Sequence, residues 1–260
     1  MYRSARAKCE THSWRVIVRY TLGVARKKMK LTKRWLWRLA AVAAGVVVVS
    51  AIVVWFTWPD VAALAKENPQ TTAFIETAKA RGDQVQWRWV GSSHISVELK
   101  KAVLVAEDLS FFSHKGIDTH ELKLAAREAV KGKRVRGAST ITQQLAKNLW
   151  LTPSRSPFRK LREIVLTRQL ESHLSKRRIL ELYLNVAQFG PETYGAEAAA
   201  RSYFGVPAAL LTDDQSAQLA AGLPRPSTWH PGVSTKGYNK AVSRVRLRAG
   251  QCGWLDQLLQ

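Results

Sequence analysis

The sequence predicts a mostly helical protein that carries one transmembrane helix near its N-terminus. First, the chain of 260 residues is 46% apolar, which is enough to bury the core of a domain of ordinary size. Second, residues 39–58 carry no charge and are long enough to cross a bilayer as a helix. Third, apolar residues recur at helical spacing through most of the remaining chain.

Basic residues are concentrated at the N-terminus. The chain contains 41 Lys and Arg against 19 Asp and Glu, a formal charge of +22. Twelve of the bases and a single acid lie in residues 1–38, directly before the uncharged segment. Since basic flanks stay in the cytoplasm, we expect a single-pass protein with a cytoplasmic N-terminus. A cleaved signal peptide is the alternative, but the apolar run exceeds a usual h-region.

Changes in composition divide the chain into five segments. They are a basic arm (1–38), a transmembrane helix (39–58), a neck (59–84), the main domain (85–235) and a tail for which the sequence predicts no definite structure (236–260). The predicted topology places Cys9 and Cys252 on opposite sides of the membrane, so they cannot pair. The two cysteines indicate neither a disulfide framework nor a zinc site.

The elements of the main domain follow from local patterns. Residues 85–90 alternate apolar and polar side chains and form the best strand candidate. Ser96 is a plausible N-cap for a helix that ends near Glu107. The next predicted helix runs from Thr119 to about Val130.

Two capping boxes and two long amphipathic segments predict the remaining helices. Thr140 is followed three residues later by Gln143, and Thr212 by Gln215, the spacing of a capping box. Apolar residues at helical spacing predict helices over 158–174 and 176–187, and the helix after Thr212 is predicted to end before a proline.

Glu107 is the first candidate for a chemical role, because it ends a helix that is otherwise apolar. Val103, Leu104 and Ala106 precede it, so its carboxylate emerges beside apolar surface. Partial desolvation raises the pKa of a carboxyl group and makes it a usable general base near neutral pH. Taken alone, however, the position is better explained by an ordinary surface acid near a helix end.

Polar side chains crowd the start of the helix after Gly137. A helix N-terminus with hydroxyls and a nearby lysine suits an anionic group such as phosphate. Capping explains Ser139 or Thr140 without any further function, but it does not explain the adjacent amides and the lysine. The candidate binding residues of this stretch are Ser139, Thr140, Gln143, Gln144, Lys147 and Asn148.

A third candidate is the basic stretch around Glu163. Arg155, Arg159 and Lys160 precede this acid, and two of them lie three or four residues from it. Such spacing is typical of a solvated ion-pair face. This stretch alone does not separate that interpretation from a functional one.

Five segments of the chain form a set of motifs in a fixed order. They are EDLSFFSHKG (107–116), GASTITQQLAKN (137–148), RKLREIVLTRQLE (159–171), KRRILELYLNVAQFG (176–190) and AAARSYFG (198–205). Together they resemble the signature motifs of one enzyme family, the peptidoglycan glycosyltransferases of glycosyltransferase family 51. The resemblance covers about residues 85–230, and five motifs at matching spacing make it highly specific.

The resemblance implies an all-α, lysozyme-like fold with two lobes around a cleft, and lipid II as the substrate. Glu107 matches the family's catalytic base, which takes the proton of the acceptor's GlcNAc 4-hydroxyl as that oxygen attacks C1 of the donor's MurNAc. The polyprenyl pyrophosphate leaves, and the anomeric carbon inverts. Lys147 and Arg155 match positions that hold the pyrophosphate, and Glu163 matches the second essential carboxylate.

The remaining site residues are also assigned through the resemblance. Ser139, Thr140, Gln143 and Gln144 would line the donor side, together with Asn148 and Arg159. His114 is expected to be structural, bonding the turn at Gly116 to the preceding helix.

The same resemblance carries expectations about cofactors, partners and location. It implies no required cofactor, although a divalent metal such as Mg²⁺ or Mn²⁺ is compatible with it. The partners would be lipid II, the growing glycan strand, the inner membrane and other cell-wall synthesis proteins, with no nucleic acid. The catalytic domain would be periplasmic. A monofunctional enzyme is expected, because the chain contains no S-x-x-K acylation motif.

Two other interpretations stay open at the level of sequence. A lysozyme-like lytic transglycosylase or muramidase would share the fold and the catalytic glutamate, but it would not need Lys147 and Arg155. A membrane-tethered binder of nucleic acid or acidic lipid would explain the high positive charge. Membrane topology already explains the basic arm, however, which disfavours that second alternative.

Overall fold

The computed structural model describes residues 33–50, 52–54, 56–130, 139–152 and 156–259, apart from the side chains of residues 126, 129 and 130. The chain divides into two compact units, Met1–Pro59 and Asp60–Gln260. Helix α1 (Lys33–Val54) of the first unit has a mean hydropathy of 2.2 and exposes its apolar side chains. It is long and apolar enough to cross a membrane.

The second unit is built almost entirely of helices, which confirms the predicted all-α class. Short 3-10 turns occupy Ala62–Ala65, Ser92–His94, Ala208–Leu210 and Gly253–Leu255. The α-helices of the described part are α2 (Ala73–Ala80), α3 (Val97–Glu107), α4 (Thr119–Val130), α5 (Ile141–Trp150), α6 (Pro157–His173), α7 (Lys176–Val186), α8 (Ala196–Phe204), α9 (Asp213–Gly222), α10 (Lys236–Gln251) and α11 (Asp256–Leu259).

Two very short strands form a parallel pair within the described residues. Strand β1 (Gln86–Trp87) pairs with β2 (Thr193–Tyr194), with Gln86 opposite Thr193. The strand candidate at 85–90 is therefore confirmed only for Gln86 and Trp87, near its start. Because β1 and β2 are far apart in sequence, the pair ties the start of the domain to the segment before α8.

The helices of the described part pack in two groups. Helix α3 packs against α9, α10 and α11, whereas α5 packs against α2, α6 and α7. Hydrogen bonds from the C-terminal end of α3 to the start of α5 join the two groups, and the candidate site lies at this junction.

Capping interactions with nearby residues determine where α3 and α5, the two helices that meet at this junction, begin. The Ser96 hydroxyl accepts a hydrogen bond from Leu99 N at 3.1 Å, as the sequence predicts, and the helix leaves α geometry at Asp108 (φ −162°, ψ 75°). Helix α5 begins with the predicted capping box, in which the Thr140 hydroxyl accepts from Gln143 N and the Gln143 side chain accepts from Thr140 N. The second predicted box, at Thr212, is also present.

The segment for which the sequence predicted no definite structure contains the 16-residue helix α10. Its buried positions are Tyr238, Val245 and Ala249, which fall on one side of a helix. Basic residues between them obscure this stripe in the sequence. The Tyr238 hydroxyl donates to Gln218 O at 2.9 Å, which fixes α10 against α9.

Candidate active site

Glu107 is the last residue of α3 and faces a cavity between the helices. The residues before it, Val103 and Leu104, are fully buried, so the carboxylate stands at the edge of the core. Burial raises the pKa of Glu107 above its ordinary value, and the nearby charge of Asp108 adds to this. A hydrogen bond from Gln144 and the positive charge of Lys147 act in the opposite direction. The side chain is therefore a carboxylate with increased basicity.

Two consecutive hydrogen bonds orient Gln144, the side chain that contacts the Glu107 carboxylate. Gln144 Nε2 donates to Glu107 Oε2 at 2.6 Å, and the Tyr183 hydroxyl donates to Gln144 Oε1 at 3.0 Å. Burial, together with the charges of Glu107 and Asp108, raises the pKa of Tyr183 well above its ordinary value, so this hydroxyl remains a donor. With its oxygen occupied by Tyr183, the Gln144 amide must turn its NH₂ group toward Glu107.

Asp108 connects the end of α3 to the start of α5. Its carboxylate accepts a hydrogen bond from Ile141 N at 3.0 Å, which satisfies a free donor at the helix N-terminus. Nε2 of His114 lies 3.0 Å from Asp108 Oδ1, and Nδ1 of the same ring accepts from Gly116 N at 3.1 Å. His114 therefore bonds the Gly116 turn to Asp108, which confirms its predicted structural role.

The turn at Gly116 is held by close packing as well as by hydrogen bonds. Gly116 has φ +81°, and a Cβ there would lie 2.7 Å from Thr167 Cγ2, so no larger residue fits. The Thr140 hydroxyl donates to Gly116 O at 2.6 Å. The first two motifs thus form one rigid scaffold around Glu107.

Lys147 and Glu163 form a second, partly buried charged group beside Glu107. Burial lowers the pKa of Lys147, and the charges of Glu163 and Glu107 oppose this effect. The Glu163 carboxylate is buried. Arg159 Nη1 lies 2.7 Å from one of its oxygens, and Lys160 Nζ donates to the other. The ion pairs expected from the spacing are therefore present, but the carboxylate of Glu163 is buried rather than solvated.

The structure brings some of the predicted binding residues to the cavity and places others elsewhere. Ser139 and Thr140 line it together with Glu107. Gln143 is buried, and its Oε1 accepts from Thr140 N at 3.1 Å, so this side chain is used in capping. Asn148 is buried on α5. Arg155 lies outside the described residues.

The cavity has a volume of about 1050 Å³, large enough for a drug-sized or larger ligand. Several of its lining residues come from beyond the five motifs, and analysis of the sequence missed them. For two of them, a pattern in the sequence could have been used: the stretch RVRLR (244–248) places two arginines at i, i+4 spacing on one face of a helix. The missed residues are Arg225, Trp229, Arg244 and Arg248.

Among the described residues, no group of three or more His, Cys, Asp or Glu side chains could hold a metal ion.

The fold and the motif residues define a glycosyl-transferring enzyme of one family. Residues 73–250 match the family model described as Transglycosylase, and the chain belongs to this family. The match includes all five motifs and extends through most of α10. It confirms the resemblance that the motifs indicate.

Curated relatives identify the branch of the family more closely. A protein from Thiobacillus denitrificans is 42% identical over 223 residues, covering 83% of this chain and 96% of the relative. One from Azoarcus sp. is 40% identical over 237 residues, covering 88% and 99%. A third, from Alcanivorax borkumensis, is 50% identical over 167 residues, covering 64% and 68%. All three carry the name biosynthetic peptidoglycan transglycosylase.

Proposed function

We propose that this transglycosylase polymerises lipid II into linear glycan strands, with Glu107 as the catalytic base. The chain is a peptidoglycan glycosyltransferase of cell-wall synthesis by its family match and by its relatives. The family comparison finds a transglycosylase domain. This result agrees with the monofunctional enzyme that the sequence predicts. The observation that carries the mechanism is the desolvated carboxylate of Glu107 at the wall of the large cavity.

The proposed reaction is a single displacement at a sugar carbon. Glu107 takes the proton of the acceptor's GlcNAc 4-hydroxyl while that oxygen forms a bond to C1 of the donor's MurNAc. The bond from C1 to the polyprenyl pyrophosphate breaks, the pyrophosphate leaves with the electron pair, and the configuration at C1 inverts. The hydrogen bond from Gln144 holds the carboxylate in place for this transfer.

The charged group around Lys147 supports the departure of the pyrophosphate. A pyrophosphate is already a good leaving group, so it needs fixed positive charge more than it needs a proton. Lys147 lies close enough to Glu107 and Glu163 for their charges to act on it. We assign Lys147 and Arg155 to the leaving group, with Arg159 beside them. No step of this scheme uses a cofactor or a divalent metal ion.

Glu163 is assigned a positioning role rather than proton transfer. Both of its oxygens are engaged by cations of the same helix, Arg159 and Lys160, which supports this assignment. Without the negative charge of Glu163, the positive charges of Arg159 and Lys160 would repel Lys147. A buried carboxylate that holds two cations in place keeps a dense positive group together without leaving it unpaired.

The cations beside Glu107 give less support to the alternative of a glycan-cleaving enzyme. A lysozyme-like hydrolase must protonate a poor leaving alcohol, and it uses a carboxylic acid of raised pKa for that purpose. Glu107 alone would fit either reaction. The cationic group of Lys147 and Arg159 beside it favours a leaving group that carries charge, and so favours synthesis over cleavage.

The test is to replace Glu107 with Gln and to follow the polymerisation of labelled lipid II by purified full-length protein. We expect the rate to fall about 10²- to 10⁴-fold, the usual contribution of a general base. The control is Glu98→Gln, which removes another glutamate of α3 and should retain the wild-type rate. Substantial turnover by Glu107→Gln would remove Glu107 as the base.

The same variant separates a chemical defect from unfolding. Because burial raises the pKa of Glu107, its folded carboxyl binds a proton at a pH where the unfolded one has released it. Stability from this group is therefore present at low pH and is lost as the pH rises through the folded pKa. Glu107→Gln should then melt at the wild-type temperature or above it at neutral pH.

The orientation in the membrane is also part of the proposal. Helix α1 fits a single-pass anchor, and the twelve bases before the uncharged span favour a cytoplasmic N-terminus. The catalytic unit would then face the periplasm, where glycan strands are assembled.

A further inference from the structure

Lys147 lies among charged side chains, but its ammonium group is bonded to none of them. The charges that act on it come from Glu107 at the end of α3 and from Arg159, Lys160 and Glu163 of α6. The two carboxylates favour the charged form of the lysine, whereas the two cations oppose it. Among the described residues, no hydrogen bond or salt bridge reaches this ammonium group. A different contact must therefore fix the direction of the side chain.

That contact is an aromatic ring from α2. Lys147 Nζ lies over the ring of Phe74, 5.4 Å from the ring centroid, which is within the range where a cation is attracted to a ring face. Phe74 lies outside the five motifs, and α2 packs against α5, the helix of Lys147. Within the described part of the chain, this ring is the direct partner of the ammonium group.

The packing of α2 leaves the ring of Phe74 available to Lys147. Thr72 caps this helix, and its hydroxyl accepts a hydrogen bond from Ile75 N at 3.1 Å. Ile75 and Ala78 are fully buried and form the apolar face of the helix. Phe74 is only half-buried at the edge of this cluster, so the fully buried residues account for the packing of α2 without it.

Another cation of the domain shows a different arrangement. Arg178 Cζ lies 5.7 Å from the ring centroid of Trp89, but Arg178 Nη1 also lies 2.6 Å from the carboxylate of Glu181. Loss of Trp89 would leave Arg178 paired with an acid. Loss of Phe74 would leave the ammonium group of Lys147 without a direct partner in the described structure.

An aromatic partner suits a cation that must bind an anion. A carboxylate would neutralise the charge and occupy N–H donors, whereas a ring face attracts the charge and leaves the three donors of the ammonium group for an anion. Burial lowers the pKa of Lys147. A ring over the ammonium group opposes this effect, because it favours the charged form.

We propose that Phe74 is a positioning residue, which holds the ammonium group of Lys147 in place and in its charged form for the leaving pyrophosphate. This inference rests on the proposed function, in which Lys147 supports the departure of that group. Phe74 acts through Lys147 and needs no contact with the substrate.

The first experiment measures the polymerisation of labelled lipid II by full-length Phe74→Leu across neutral and alkaline pH. Leucine keeps an apolar side chain but removes the ring. The alkaline limb of kcat/KM, which reports the free enzyme, should move about one pH unit lower, because the ring no longer favours the charged lysine. At the plateau, kcat should fall several-fold with KM little changed, since charge on the leaving group develops in the transition state.

Two comparisons show whether the ring acts through the lysine. Trp89→Leu is the matched control, because it removes the ring over Arg178 and should keep the wild-type kcat and pH profile. Phe74→Leu combined with Lys147→Met completes a double-mutant cycle. The combined variant should have the same kcat as Lys147→Met alone, since the ring then has no ammonium group to hold.

Fluorinated phenylalanines at position 74 separate the electrostatic effect of the ring from its size. Each added fluorine atom weakens the attraction of the ring face for a cation and changes the volume of the ring little. As the number of fluorine atoms increases, the alkaline limb should move stepwise to lower pH. A ring that only fills space would give the wild-type limb throughout the series.

The proposal is overturned if wild type, Phe74→Leu and the fluorinated proteins share one alkaline limb. It is also overturned if Phe74→Leu lowers kcat as much in the presence of Lys147→Met as it does alone. Melting temperatures show whether Phe74→Leu unfolds, and in that case the fluorinated proteins, which keep the packing, decide. Absence of polymer with wild type would contradict the proposed function itself, whereas wild-type activity with unaffected variants contradicts this inference alone.

Discussion

At the scale of single residues, the proposed site depends on two side chains whose pKa values are shifted by burial in opposite directions. Burial raises the pKa of Glu107 from 4.5 and lowers the pKa of Lys147 from 10.5. Each group also stabilises the charge of the other. The proposed base and the proposed leaving-group cation therefore favour each other's charged form, while burial opposes the charged form of both.

This pairing predicts a bell-shaped dependence of kcat/KM on pH. The rate should fall on the acid side as Glu107 gains a proton, with a midpoint above 4.5. It should fall on the alkaline side as Lys147 loses its charge, with a midpoint below 10.5. Lys147→Met should lower kcat about a hundredfold, roughly 3 kcal/mol of transition-state stabilisation, and should abolish the alkaline limb.

The control for Lys147 is Lys79→Met, which removes an exposed lysine paired with Glu76 at 3.1 Å. A surface pair contributes only about 0 to 1 kcal/mol, so this variant should keep both the rate and the pH profile. If Lys147→Met loses rate only in proportion to lost stability, the leaving-group role is wrong and a glycan-cleaving activity gains support.

At the scale of elements, the N-terminus of α5 is where the motifs are joined. Thr140 caps this helix and also donates to Gly116 O at 2.6 Å, while Asp108 accepts from Ile141 N. The same helix presents Gln144 and Lys147 one and two turns later. A displacement of the helix start would therefore move both Gln144, the partner of the proposed base, and Lys147, the proposed leaving-group cation.

Thr140→Ala tests this coupling between a cap and activity. Loss of the cap should destabilise the protein by about 1–2 kcal/mol, measured by thermal or denaturant unfolding, and should also lower the polymerisation rate. Thr212→Ala is the matched control, because it removes the same kind of capping box from α9 at an exposed position. Equal rate losses in the two variants would contradict a special role for the α5 cap.

At the scale of the whole molecule, the chain combines a helix that fits a membrane anchor with an enzyme whose proposed substrate is a lipid. A tether keeps the enzyme and a membrane-bound substrate at a high effective concentration. The basic arm before the uncharged span accounts for twelve of the 41 bases, and the proposed orientation assigns this charge to topology rather than to substrate binding.

The topology is tested by labelling cysteines in intact cells with a membrane-impermeant thiol reagent. Cys252 is partly exposed at the cavity and should react from outside, whereas Cys9 should react only after lysis. Variants with a single remaining cysteine assign the signal to one residue. Labelling of Cys9 in intact cells would reverse the proposed orientation.

Local sequence patterns were sufficient for most helices of the main domain, for three of their caps and for the candidate catalytic glutamate. Ser96, Thr140 and Thr212 each cap a helix as predicted, because a cap depends on residues only three positions away. The uncharged span and the five motifs likewise depend on short stretches. They predicted the anchor, the family and the position of Glu107 without reference to any distant contact.

Only the tertiary structure decided what the side chains of the site contact. It buried the carboxylate of Glu163, whose ion pairs within α6 the sequence left open as a solvated face. It also placed Tyr183 behind Gln144, 39 residues away in sequence, and brought Arg244 and Arg248 of α10 to the cavity of Glu107. Each of these features depends on how helices distant in sequence pack together, and a local pattern of apolar residues does not identify the helix against which it packs.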